Sequence, residues 1–105
     1  MKLERTRISL RLPEMLLQNI DLYAARTDRT RTKLIESCLR ELIRDIQHDV
    51  YAEEFLKTLH DRSLTRTKSI PLQLRLPTMY LDYLRMNQFN IAACIKTAIN
   101  LYELP

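Results

Sequence analysis

The chain has 105 residues, of which 46% are hydrophobic, and it contains no glycine. This length allows one compact domain or two very small ones, and the hydrophobic fraction excludes a largely disordered chain. The lack of glycine excludes a glycine-rich phosphate loop, and the net charge of +4 is modest for a protein that binds nucleic acid.

Charge is distributed unevenly along the chain. Basic side chains gather in residues 1–12, 26–33 and 62–75, whereas the charged side chains of residues 41–61 are mostly acidic. Solvated surfaces carry such runs by chance, but a polarised distribution also favours one orientation on a polyanion. We therefore expect positive charge around one part of the fold and negative charge elsewhere.

No stretch predicts targeting or membrane insertion. A transmembrane helix needs about 18 or more consecutive apolar residues, and the sequence has no such run. A secretory signal peptide is not recognised either. We therefore expect a cytoplasmic protein with no membrane partner, in the host cytoplasm if a virus or plasmid encodes it.

Residues 5–13 predict the first β-strand. Polar and apolar residues alternate there, in the order Arg7, Ile8, Ser9, Leu10, Arg11 and Leu12. This period of two gives a strand one apolar face and one cationic, polar face. Pro13 ends the strand and, with its fixed φ, suits the start of a helix. A single strand is not stable alone, so the chain must supply a partner.

Two amphipathic helices are predicted after this strand. The first runs from Glu14 to about Arg26, and its apolar stripe comprises Leu16, Leu17, Ile20 and Ala24. A polar turn follows, and Thr30 is a good N-cap for a second helix over residues 31–47. The stripe of the second helix is the strongest helix signal in the chain and comprises Leu34, Ile35, Cys38, Leu39, Leu42, Ile43 and Ile46.

The middle of the chain has a weaker pattern. Residues 49–60 predict a further helical segment, and its start near His48 and Asp49 is not fixed by the sequence. Residues 64–69 are short, polar and basic, and they predict an extended linker.

The strand motif occurs a second time, at residues 70–77. The sequence Leu-Arg-Leu-Pro of residues 10–13 returns at residues 74–77, which is 64 residues later. Thr78 to about Phe89 then predicts a helix, and Asn90 caps a final one. The order strand, helix, helix therefore occurs twice, and internal repetition of this kind is a strong indication of fold.

These elements predict a mainly α fold with a two-stranded antiparallel ribbon. We assign residues 1–48 to a first unit, residues 49–69 to a helical and extended linker, and residues 70–105 to a second unit. An extended linker spans about 3.3 Å per residue, which is enough for the two strands to pair within one chain. Exchange of strands between two chains is the alternative.

At this level the sequence resembles the ribbon-helix-helix superfamily of DNA-binding proteins, the Arc/MetJ/CopG group. The resemblance is carried by residues 7–13 (Arg-Ile-Ser-Leu-Arg-Leu-Pro) and 30–35 (Thr-Arg-Thr-Lys-Leu-Ile). It implies a tandem ribbon-helix-helix chain that forms an intrachain pseudo-dimer. It also implies double-stranded DNA as the partner, and it leaves room for self-association on DNA.

The resemblance also assigns individual residues to DNA. In that family alternate strand residues read base edges, which here implies Arg7, Ser9, Arg11, Gln73 and Arg75. The start of the second helix holds a backbone phosphate in that family, which here implies Thr30, Arg31 and Thr32. We add Arg5, Lys33 and Asn90 as further candidate phosphate ligands. The chemistry agrees, because arginine pairs with guanine, glutamine pairs with adenine and helix N-termini bind phosphate.

The second unit departs from this pattern at two places. Pro71 stands at the position of Arg7, so a cation and a strand donor are lost. Ile91 and Ala92 replace Arg31 and Thr32 at the helix start. We therefore expect weaker phosphate anchoring by the second unit.

Other chemistry is not indicated. His48 and His60 are not at metal-ligand spacing, and the sequence has no nucleophile turn. Cys38 and Cys94 lie on apolar stripes, where a free buried cysteine is the expectation. We expect no enzymatic activity, no metal, no cofactor and no small-molecule ligand.

The expected function is that of a sequence-specific, double-stranded DNA-binding transcriptional regulator. Among regulators, we expect a repressor. The alternatives are a DNA-architectural accessory protein of plasmid transfer or replication, and an antitoxin-type autoregulator. Antitoxins usually carry a disordered acidic tail, whereas the acidic stretch here lies in the middle of the chain. A pure protein-interaction module is a fourth hypothesis, which loss of all DNA affinity would favour.

Overall fold

A computed structural model of the chain describes residues 4–60 and 69–102. Within these ranges the chain is mainly helical, and its elements follow in the order β1 (Arg5–Pro13), α1 (Glu14–Arg26), α2 (Arg31–Gln47), α3 (Glu53–Thr58), β2 (Ser69–Pro77), α4 (Thr78–Met86) and α5 (Ile91–Tyr102). The predicted mainly α fold with a two-stranded antiparallel sheet is confirmed.

The two strands pair with each other within the chain. β1 and β2 form an antiparallel ribbon in which Arg5 lies opposite Pro77 and Pro13 lies opposite Ser69. Ser9 lies opposite Gln73, the residue that stands 64 positions later in the repeat. The register is therefore symmetric about this pair, and the two copies of the strand motif pass through it in opposite directions.

The ribbon has one buried face and one exposed face, as the alternation of β1 predicts. Ile8, Leu12, Leu74 and Leu76 are buried in the core. The intervening residues Arg7, Ser9, Arg11, Pro71, Gln73 and Arg75 are exposed. A strand pair of this kind is stabilised by packing its apolar face on helices, and that packing leaves the polar face toward solvent.

One hydrophobic core joins the ribbon to the helices. The predicted stripe of α1 is buried as a whole, and so are the residues of the α2 stripe other than Ile46, which is half-buried. The largest fully buried side chains are Leu12, Ile20, Leu34, Ile35, Leu39, Leu42, Leu59, Leu76, Leu81, Leu84, Ile95 and Ile99. Because these come from both strands and from all the helices except α3, with Leu59 just after α3, neither repeat unit has a separate core.

The start of β1 is tied to the start of α4. The backbone N–H of Thr78 donates to the carbonyl of Glu4 at 2.9 Å. The hydroxyls of Thr6 and Thr78 are also hydrogen-bonded, at 2.7 Å. Pro77 precedes α4 without a side-chain cap, so the carbonyl of Glu4, just before β1, supplies an acceptor that the first turn of this helix otherwise lacks.

Three helices end in a Schellman motif without glycine. Asp28, Asp49 and Gln88 have φ values of 55°, 55° and 60°, in the left-handed region. In each case the next residue donates its N–H to a carbonyl five positions earlier; for α4 the bond runs from Phe89 to Leu84 at 2.9 Å. This motif usually uses glycine, because other residues pay a steric cost at positive φ.

These turns explain where the helices differ from the predicted bounds. The turn at Asp49 stops α2, so the segment predicted over residues 49–60 is helical only over Glu53–Thr58. The turn at Gln88 likewise ends α4 at Met86, three residues before the predicted limit. The predicted extended linker over 64–69 lies outside the described residues except for Ser69, which begins β2.

Candidate nucleic-acid interface

The exposed face of the ribbon brings the predicted base-reading residues together. Arg7, Ser9, Arg11, Gln73 and Arg75 are all exposed, and all project from the same side of the two strands. Arg5 and Pro71 complete this face, which we call the polar ribbon face. It contains four arginines and no acidic residue.

Arg7 and Arg75 lie directly opposite each other on this face. Neither guanidinium has a hydrogen bond or ion pair with another residue in the described ranges 4–60 and 69–102. Directly opposed like charges destabilise an antiparallel pair. The free chain therefore carries an uncompensated cationic pair that an anionic partner would neutralise.

Arg5 extends the cationic surface and connects it to α2. Its Nη1 atom lies 2.7 Å from Oε1 of Glu36, in the second turn of that helix, and also donates to the Arg75 carbonyl at 3.4 Å. The Glu36 contact is ionic, because the buried Oε1 has no well-aligned hydrogen-bond donor among the described residues. Arg5 is therefore partly neutralised, whereas Arg7 and Arg75 keep their full charge.

Arg11 is engaged within the ribbon. Its Nε donates to the Ser69 hydroxyl at 3.1 Å, and its Nη2 donates to the Ser69 carbonyl at 3.1 Å. The side chain therefore leans across the partner strand toward the end of β2. Its own cross-strand neighbour is Pro71, which carries no charge.

The start of α2 has the cap that the sequence predicts. The Thr30 hydroxyl accepts a hydrogen bond from the backbone N–H of Lys33 at 3.1 Å. Lys33 is exposed and Thr32 is half-buried. A helix N-terminus combines unpaired N–H groups with a positive dipole end, and here the lysine adds a full positive charge.

Arg31 is held by an acidic residue of α1. Its Nε and Nη2 donate to Oδ1 and Oδ2 of Asp21 at 2.8 and 2.7 Å. The hydrogen bonds from Arg31 lower the pKa of Asp21, and those to Asp21 raise the pKa of Arg31. A two-pronged pair of this kind occupies the geometry in which arginine also binds a phosphate. Arg31, a predicted phosphate ligand, is therefore already bonded to a carboxylate.

Asn90 has a comparable role at the start of α5. Its Oδ1 accepts from the backbone N–H of Ala93 at 2.9 Å, as the predicted cap requires. Its own N–H donates to the carbonyl of Leu59 at 2.7 Å. The segment after α3 therefore lies against the start of α5. The Leu59 carbonyl accepts from the Asn90 N–H, which is then not available to a phosphate.

Sequence reasoning missed Asp21, Glu36 and Ser69, the residues that engage three of the predicted DNA ligands. Nothing in a single sequence pairs Asp21 and Glu36 with arginines 10 and 31 residues away. Ser69 was assigned to the linker. The opposition of Arg7 and Arg75 could have been derived, since an antiparallel pair of repeats centred on Ser9 and Gln73 requires it.

A second polar cluster lies where α2, α5 and the segment before α3 meet. The hydroxyls of Tyr51 and Tyr102 are hydrogen-bonded, and Tyr102 donates to Oδ2 of Asp45 at 2.7 Å. Burial, the Tyr51 hydroxyl and the Asp45 carboxylate together raise the pKa of Tyr102. The cluster fixes the last turn of α5 on α2.

Other classes of site find no support in residues 4–60 and 69–102. These residues contain no group of three or more side chains that could hold a metal ion. No helix among them is both long and apolar enough to cross a membrane. Cys38 and Cys94 are buried and are not joined in a disulfide, and burial raises the pKa of Cys94 to about 12. A thiol of that kind is a poor nucleophile at neutral pH.

Comparison of the chain with models of known protein families, with curated proteins and with solved structures finds no match.

Proposed function

We propose that the chain is a tandem ribbon-helix-helix protein that binds double-stranded DNA sequence-specifically and represses transcription by occupying its operator. The observation that carries this proposal is the unpaired Arg7–Arg75 couple on the exposed face of a two-stranded ribbon.

The charge arrangement favours an anionic partner. A chain that placed two arginines opposite each other only for stability would lose free energy, because like charges across a strand pair repel. Local violations of folding rules of this kind are expected at functional sites. Phosphate-rich DNA lowers the energy of both guanidinium groups, and guanine offers each of them two acceptors.

The shape of the polar ribbon face fits the major groove. Neighbouring strands lie about 4.8 Å apart, and a groove about 12 Å wide admits two strands with their side chains. Gln73 and Ser9 then lie at the centre of the contact, where glutamine can pair with adenine. Arg7 and Arg75 lie two residues away and can reach the neighbouring base pairs.

Phosphate anchoring is assigned to the start of α2. Arg5 contacts Glu36, and Arg31 lies five residues before Glu36, about 7.5 Å along a helix. The start of α2 therefore lies beside the same end of the ribbon. Lys33 and the N–H groups of the first turn can hold a DNA phosphate there, while Arg31 joins them only when it leaves Asp21.

The intrachain pairing of β1 with β2 supports the pseudo-dimer part of the proposal. A protein with one strand per chain must find its partner strand in another chain, which makes the fold dependent on concentration. Here both strands, both helix pairs and the core belong to one chain. Self-association, if it occurs on DNA, is then separate from folding.

Footprinting on the DNA that flanks the gene tests the proposal. We expect a protected region with the natural chain, and loss of protection with the double variant Arg7→Ala/Arg75→Ala. The matched control is Arg40→Ala, an exposed arginine of α2 about 14 Å beyond Arg31, which should retain protection. Equal affinity for every duplex would instead favour the architectural role, and absence of DNA binding would refute both.

A further inference from the structure

The two ends of the polar ribbon face are chemically different. Counting outward from Ser9 and Gln73, one end carries Arg7 opposite Arg75 and, beyond them, Arg5 opposite Pro77. We call this the arginine-rich end. The other end carries Arg11 opposite Pro71 and then Pro13 opposite Ser69, and we call it the neutral end.

The two ends also differ in the hydrogen-bond donors that remain available. At the arginine-rich end the guanidinium groups of Arg7 and Arg75 have no partner among the described residues. At the neutral end, Nε and Nη2 of Arg11 already donate to Ser69. Pro71 has no N–H and no polar side chain. The arginine-rich end therefore has two guanidinium groups without a partner among the described residues, whereas the single guanidinium of the neutral end is engaged.

The helix starts show the same polarity. The contact between Arg5 and Glu36 places α2 beside the arginine-rich end, and its first turn carries Arg31 and Lys33. The corresponding turn of α5 has no cation, because residues 91–93 are Ile-Ala-Ala. Its entrance is also covered by the Leu59 carbonyl. Base-reading and phosphate-binding groups are thus concentrated in one half of the molecule.

We infer that the chain reads a non-palindromic DNA site in a single orientation, with guanines in neighbouring base pairs under Arg7 and Arg75 and a tolerant half under the neutral end. This inference rests on the proposed function and specifies its ligand. Directly opposed residues in an antiparallel pair have Cα atoms about 4.5–5.5 Å apart, and base pairs rise 3.4 Å per step on each strand. Two arginines at this spacing suit two adjacent guanines, each held through O6 and N7.

Selection of bound duplexes from a random library tests this inference with the full chain. We expect an asymmetric motif with guanine preference at one end only. Arg7→Ala and Arg75→Ala should each reduce discrimination at those positions by about 5- to 150-fold, without changing preferences elsewhere. Arg11→Ala should cost less guanine preference than either, because its guanidinium already donates to Ser69. Arg40→Ala, an exposed arginine of α2, is the matched control and should leave every preference unchanged.

The outcomes of the selection separate the orientation claim from the proposed DNA-binding function on which it rests. A palindromic motif with equal preference in both halves would overturn the orientation claim while leaving sequence-specific DNA binding intact. An equal loss from Arg11→Ala and Arg7→Ala would also overturn it. Recovery of no enriched sequence would overturn the proposed function itself. The three arginines are exposed, so a cooperative thermal unfolding transition no lower than that of the natural chain will show that each variant retains the fold.

Discussion

The Arg31 guanidinium donates two hydrogen bonds to the Asp21 carboxylate, at 2.8 and 2.7 Å. This pair joins the middle of α1 to the first residue of α2, beside the proposed phosphate site. A carboxylate in that place competes with DNA for the same arginine. The free energy of DNA binding therefore includes the cost of separating the pair, or binding proceeds without Arg31.

Removing the competing carboxylate should strengthen DNA binding. We expect Asp21→Asn to raise affinity for specific and random duplexes alike, because Arg31 becomes free to neutralise a phosphate. The slope of log affinity against log salt should steepen by about one unit. The matched control is Asp82→Asn on α4, which removes an equal exposed charge away from Arg31. Identical salt slopes for the two variants would show that Arg31 does not reach DNA.

The same pair should make stability depend on acid. Asp21 has a pKa below its ordinary value of 3.8 in the folded chain, because Arg31 hydrogen-bonds its charged form. A lowered folded pKa stabilises the protein above the unfolded pKa, and this contribution is lost as pH falls from about 3.8 through the lower folded value. The pair is exposed, so we expect a loss of about 0.2–1 kcal/mol.

Urea unfolding at pH 6 and pH 3 measures this loss. The natural chain should lose more stability over that interval than Asp21→Asn, which lacks the titrating carboxylate. The other acidic residues titrate equally in both chains, so only the difference between them is informative. Equal losses would mean that the ion pair contributes nothing measurable to folding.

The turn after α4 offers a stabilising substitution. Gln88 has a φ of 60°, which costs a residue with a Cβ about 1 kcal/mol or more. Gln88→Gly should remove this cost and, after the greater entropy of glycine in the unfolded chain, stabilise the protein by about 0.5–1 kcal/mol. Gln88→Ala is the control and should bring no comparable gain in thermal unfolding. Destabilisation by glycine would show that the glutamine side chain is needed there.

Folding should not require a second chain. Because β1 pairs with β2 of the same chain, we expect a folded species of 12.6 kDa at every concentration. Sedimentation and circular dichroism across a hundredfold dilution measure mass and helix content together. Loss of helix as a larger species dissociates would instead indicate that the strands are exchanged between two chains.

The fold could be predicted from the sequence wherever one strong pattern acted alone. The alternation in residues 5–13 defined β1, and the apolar stripe from Leu34 to Ile43 defined α2, because burial depends on local period. The bounds of α4 were less predictable. Its end at Met86 depends on a left-handed Gln88 and on the bond from Phe89 to Leu84, and no glycine marks that turn in the sequence.

The candidate site could be predicted only as a set of residues on one face. Alternation placed Arg7, Arg11 and Arg75 on the polar ribbon face. It could not show which of their guanidinium groups lack a partner in the described part of the fold. That depends on partners such as Ser69, which come into reach only when the strands pair. The charge of an arginine is visible in a sequence, whereas its availability is a property of the folded chain.

Nuclear magnetic resonance tests the central claim most directly, by mapping where a duplex contacts the chain. Titration of the labelled protein with its selected duplex should shift the amide signals of Arg7, Ser9, Gln73 and Arg75, and those of the first turn of α2 around Lys33. The signals of Tyr51 and Tyr102, in the polar cluster near the end of α5, should stay in place. Shifts centred on that cluster, with an unchanged ribbon, would contradict the account.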